Sequence, residues 1–211
     1  ISPITLAGTT PTLTIGDAGA EDAKIVFDGN AQDYHIGLDD STDSLTIGLG
    51  SALGTTTHMK FDSAGAVTKP LQPAFMVHPG ATAQNNLAAS AITNIDFGTE
   101  RFDLSGDFAS NTFTAPVTGK YHFDINLNFN GFDQDFTYVW LILQTSNSAY
   151  YIHLIQGNMA DDDGYMNFGG SILADMDASD TAFVKLQIQG GAAQMDIITQ
   201  TSSSFSGYLV A

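Results

Sequence analysis

The segment KYHFDINLNFN, Lys120–Asn130, limits the possible folds more than any other part of the chain. Tyr121, Phe123, Ile125, Leu127 and Phe129 alternate with His122, Asp124, Asn126, Asn128 and Asn130. Successive side chains of an extended strand point to opposite faces, so this strict period of two requires a strand with one buried and one wetted face. VKLQIQ, Val184–Gln189, repeats the pattern with Val184, Leu186 and Ile188 inward. No segment sustains a helical period beyond one or two turns.

FTYVWLILQ, Phe136–Gln144, obeys a different rule. Tyr138, Trp140 and Ile142 fall on one face and Val139, Leu141 and Leu143 on the other, so both faces are apolar. A strand of a two-sheet sandwich has only one core face. The second face is therefore expected against another subunit, with an edge loop of the same chain as the alternative. Further strands are expected near Tyr150–Gln156, Tyr165–Leu173, Gln194–Thr199 and Phe205–Val210. The total of eight to ten fits an all-β jelly-roll sandwich.

Composition agrees with that class. Apolar residues make up 43% and charged ones only 14%, and the 21 glycines exceed what a helical protein of 211 residues would carry. With 23 acids against 6 bases the net charge is −17, which repels nucleic acid and anionic lipid. Cysteine is absent, which removes disulfides and thiol nucleophiles. The longest apolar run, Tyr138–Leu143, is far shorter than the roughly 20 residues that a spanning helix needs. Membrane insertion is not expected. A chain that begins at Ile1 without a signal peptide reads as a piece of something longer.

The first part of the chain has another grammar. LTIG occurs at Leu13–Gly16 and at Leu45–Gly48, and FDG at Phe27–Gly29 is echoed by FDSAG at Phe61–Gly65. Short apolar bursts closed by Gly or Asp predict short strands. Such thin units gain stability by stacking on neighbours, so residues 1–69 are expected to form a repetitive β shaft that needs partner chains. Two prolines in VTKPLQPAF, Val67–Phe75, mark the junction, and residues 70–211 form the second domain.

Phe113, Gly119, Tyr121 and Phe123 stand at spacings that resemble the signature of the complement-one-q globular head family, whose jelly roll is shared with tumour necrosis factor. Phe97, Asp103 and Phe108 agree upstream, and Phe205, Gly207 and Tyr208 of SSFSGYLVA agree at the end. Two spacings depart from the pattern. Four residues rather than six separate Phe108 from Phe113, and Ile125 stands where an aromatic is usual, which suggests a divergent microbial or viral version. The N-terminal refrain is similar to β repeats of bacteriophage tail fibres. Together the resemblances imply a homotrimeric head on a fibre, placed in an extracellular virion and joined to the rest of the tail fibre.

Candidate ligand sites are few. Asp161, Asp162 and Asp163 precede Gly164 and offer hard oxygen ligands suited to calcium, with a solvated turn as the alternative. Asp133 and Asp135 pose the same choice. The five histidines, His35, His58, His78, His122 and His153, are dispersed and lack metal-ligand spacing. Trp140 could stack on a sugar, although its neighbours suit a core or interface. No phosphate loop or nucleophile elbow is complete. The sequence therefore predicts a non-enzymatic fibre tip that binds a bacterial surface glycan or protein. A structural decoration or assembly protein and a polysaccharide depolymerase are the alternatives.

Overall fold

The computed structural model describes residues 4–81, 84–133, 135–157, 163–199 and 202–211. Regular structure there is mostly strand, with a 3-10 turn at Asp40–Thr42. The chain divides into two units, Ile1–Leu71 and Gln72–Ala211.

The first unit is a five-stranded antiparallel meander of β1 (Ala23–Phe27), β2 (Tyr34–Asp39), β3 (Ser44–Leu49), β4 (Thr57–Phe61) and β5 (Val67–Thr68). Turn chemistry sets its corners. After β4, Asp62 Oδ1 accepts the backbone N–H groups of Ala64 and Ala66 at 3.0 and 2.8 Å, and Gly65 takes φ 89°. The FDSAG echo is thus a strand end and its turn. The two copies of LTIG do not share a structure. Leu45–Gly48 lies in β3, whereas Leu13–Gly16 lies in no strand. Repeated letters here do not mean a repeated fold, because a strand exists only where a neighbour accepts its ladder of hydrogen bonds.

Pairing aligns Ile25 with Ile36, Ile36 with Ile47, and Ile47 with Met59, giving one apolar ladder across four strands. Small and polar residues occupy the opposite face, where His35, Gly37, Asp39, Ser44, Thr46 and Gly48 are all buried. The segment from Gly50 to Thr56 covers that face. His35 Nδ1 lies 2.9 Å from the Gly50 carbonyl oxygen, and a Cβ on Gly37 would come within 3.0 Å of Leu53 Cδ2. The Ser41 hydroxyl, donating to Asp39 at 2.6 Å, leads the interactions that hold that carboxyl below its ordinary pKa range.

The second unit contains β6 (Ala74–His78), β7 (Ala91–Asn94), β8 (Thr99–Asp103), β9 (Phe108–Ala109), β10 (Thr112–Thr114) and β11 (Gly119–Phe132). It continues with β12 (Phe136–Thr145), β13 (Ala149–Gln156), β14 (Asp163–Met176), β15 (Thr181–Gly190), β16 (Asp196–Ile197) and β17 (Ser204–Leu209). They form two six-stranded antiparallel sheets in a jelly-roll sandwich. One runs β13-β12-β15-β10-β9 with β7 beside β15, the other β14-β11-β17-β6-β8 with β16 beside β11.

β11 bears out the alternation: Tyr121, Phe123, Ile125, Leu127 and Phe129 are all buried. Gly131, at φ 68°, then turns the chain so that Phe132 also enters the core, edge-on to Phe136 at 4.9 Å. Two strand boundaries differ from the expected ones. Tyr165–Leu173 lengthens to Asp163–Met176, because β14 pairs with β11 along its whole length. Gln194–Thr199 shrinks to Asp196–Ile197, which pairs with Asn130 and Phe129 of β11 and bridges Gln84.

Candidate functional site

The signature's phenylalanines and Tyr121 meet in one place, inside the sandwich. Phe75 of β6 stacks on Phe113 at 4.9 Å and on Phe108 at 5.1 Å, and meets Phe205 edge-on at 5.1 Å. Phe97 packs on Phe205 at 5.6 Å, and Phe113 on Tyr121 at 5.3 Å and Phe123 at 5.7 Å. These rings come from both sheets, so they lock the two layers together. Tyr121 keeps its polar end satisfied by donating its hydroxyl to the Val117 carbonyl at 2.7 Å. Burial leads the causes that raise the pKa of that phenol.

Both signature glycines mark close approach. A Cβ on Gly207 would lie 2.6 Å from Phe123 Cδ1 and 2.9 Å from Phe75 Cε1. One on Gly119 would lie 2.7 Å from the Ala211 carbonyl oxygen, which accepts the neighbouring Lys120 N–H at 2.7 Å. Asp103 shapes the turn after β8. Its Oδ1 accepts the N–H groups of Gly106 and Asp107, each at 3.1 Å, and its Oδ2 accepts that of Phe108 at 2.9 Å. Three bonds to one carboxylate fix the turn from Asp103 to Phe108. The signature is therefore structural: apart from Tyr208 it builds the scaffold rather than a ligand contact.

Asp107, in the same turn, has a buried Oδ2 without a hydrogen-bond partner. Desolvation first, and the Asp103 charge second, push its carboxyl pKa up. The folded state thus holds this proton more tightly than the unfolded chain does. Its contribution to stability is present below the ordinary carboxylate range and is lost as pH rises through the raised value. Asp107→Asn should therefore stabilise the protein at neutral pH and change little in strong acid. Urea titrations of both proteins at the two pH values would check this.

Strand β12 buries one of its apolar faces fully and the other in part. Val139, Leu141 and Leu143 are core residues, and Ile142 is buried on the opposite side. Tyr138 and Trp140 share that outward side and are half-buried. The chain itself supplies some of their cover. Trp140 meets the Tyr151 ring edge-on at 5.2 Å, and Tyr138 Oη accepts from Gln187 Nε2 at 3.2 Å.

The outward face of the other sheet is more open. Leu173 of β14, His122 of β11 and Tyr208 of β17 lie in one cross-strand row. Leu173 is 56% exposed and Tyr208 48%. The His122 ring packs on Tyr208 at 5.3 Å, and its Nδ1 lies 3.2 Å from an Asp124 carboxylate oxygen. The row joins residues as far apart in the chain as His122 and Tyr208, and it exists only through strand register.

Of the calcium candidates, Asp161 and Asp162 lie outside the described residues. The backbone of Asp163 opens β14 opposite Phe132. Asp133 is buried and its carboxylate accepts the N–H groups of Asp135, at 2.8 Å, and Ala192. That carboxylate holds two loops together. Among the described residues no group of three His, Cys, Asp or Glu side chains is arranged to hold a metal ion. His78 Nδ1 lies 3.0 Å from the Pro79 carbonyl oxygen, and His153 packs on Phe168 at 5.5 Å. Among the described residues no helix is long and apolar enough to cross a membrane.

Comparison with known proteins gives a consistent result. The family described as C1q domain matches residues 74–210. The globular domain of zebrafish complement 1qA protein is 19% identical, with a TM-score of 0.48, over 66% of this chain and 98% of that one. Murine APRIL is 8% identical, with a TM-score of 0.48, over 66% of this chain and 99% of that one. No curated protein matches.

Proposed function

The chain belongs to the C1q domain family, and from that premise we propose that it is a non-enzymatic, homotrimeric binding module at the tip of a bacteriophage tail fibre. Its ligand is a glycan or protein on the bacterial surface. The observation that carries this reading is the use of the signature residues as a structural core, which leaves recognition to outward faces and loops. Domains of this family assemble as homotrimers and are generally non-enzymatic. The phage setting draws its support from the N-terminal refrain and its likeness to fibre repeats.

Assembly suits a repeated target. Once one copy has bound, further contacts by the same trimer become intramolecular and raise the overall strength of attachment. We place the threefold contact of the second unit on the open row of Leu173, His122 and Tyr208. Tyr138 and Trp140, partly covered by their own chain, are the competing choice. Leu173→Asp would bury a charge in the contact, and is expected to shift the scattering mass from trimer towards monomer at micromolar concentration. If Trp140→Asp does so and Leu173→Asp does not, the contact lies on β12 instead.

Adhesion of the labelled protein to a panel of bacterial strains tests the function. Saturable binding to some strains, without release of reducing ends from their polysaccharide, is the expected result. Failure to adhere to the true host would overturn the reading.

A further inference from the structure

The β1–β5 sheet is patterned inside out. A sheet with one covered face normally turns its apolar residues towards the cover and its polar ones to water. Here the face under the Gly50–Thr56 segment carries His35, Gly37, Asp39, Ser44, Thr46 and Gly48, while the apolar ladders point outward. Phe27 is 55% exposed, Leu38 47% and Ile36 37%. Leu38 aligns with Leu45, Leu45 with Phe61, and Phe61 with Val67, so a second apolar ladder runs beside the isoleucines. Lys24 and Lys60 align with Gly37 and Thr46 and so project to the other face.

We propose that this outward face is a second interface between copies of the chain, in which the sheets of three protomers pack their apolar ladders together around a common axis. The inference rests on the homotrimer proposed above. Five strands of about five residues present roughly 400 Å² at normal strand spacing and rise. That is about half of the ~800 Å² per partner found in stable interfaces. A free partner would be held weakly by so small a patch. Copies already joined elsewhere in the chain meet at an effective concentration that makes the patch sufficient. The chemistry points the same way. The ladders carry no Asp, Glu, Lys or Arg, so a charged partner finds no ion pair, while another copy offers an identical apolar surface. Contact is then face to face, not strand pairing at the sheet edge.

The chain contains no cysteine, so single introduced thiols report cleanly. In the full chain, Ile36→Cys and Leu45→Cys place a thiol on neighbouring ladders, and either one covers for loss of folding in the other. Val26→Cys, aligned with buried His35, places one on the opposite face. Each protein is treated at sub-micromolar concentration with a bis-maleimide spanning about 10 Å, the usual distance between packed sheets. The expected result is covalent dimers from Ile36→Cys and Leu45→Cys in several-fold excess over Val26→Cys. A chain that scatters as a trimer yet gives no such excess would overturn this inference alone. A chain that scatters as a monomer and gives none would overturn the homotrimer as well.

Discussion

Phe75→Ala should lower the unfolding free energy of the second unit by about 3–5 kcal/mol, the range for removing a large buried aromatic. Phe75 is 1% exposed and its ring touches Phe108, Phe113, Phe123 and Phe205. Those four come from β9, β10, β11 and β17, so the loss is felt in both sheets. Neighbouring rings cannot collapse into the space without breaking their own stacking. The expected reading in urea is a lower midpoint at unchanged slope. A loss below about 1 kcal/mol would mean that the aromatic cluster is not the centre of the core.

Gly207→Ala is the second large effect, and it acts by crowding rather than by removal. The added methyl would meet Phe123 and Phe75 inside normal contact distance. Neither ring can retreat, because each is fully buried among other rings. Overpacking of this kind costs about 1–3 kcal/mol. Phe123→Leu opens space beside Gly207, so the double variant should lose less than the sum of the two single ones. Strict additivity in that cycle would show that Gly207 is required for a different reason.

The scaffold was readable wherever local pattern determines structure. Tyr121 to Phe129 announced their strand because period-two alternation has no other solution. Strands β7 to β9 were not anticipated. They are short, and the exposed Thr99–Asp103 shows no alternation, since such strands are held by neighbours rather than by their own faces. Phe75 escaped notice because its importance comes from rings distant in sequence. The row of Leu173, His122 and Tyr208 was hidden for the same reason: it exists only through register.

The inverted sheet shows the limit from the other side. Alternation at Tyr34–Asp39 fixes which residues share a face. It does not say which face turns outward, and here the covering segment from Gly50 to Thr56 decides it. An apolar face left outward then becomes information about assembly. Of the two LTIG copies only the second is a strand, where β3 has neighbours on both sides.

The central claim is that the chain works as a homotrimer. Light scattering on the intact chain, coupled to size-exclusion chromatography at micromolar concentration, tests it most directly. The expected result is a single species at three times the chain mass that persists on dilution. A stable monomer under the same conditions would contradict it.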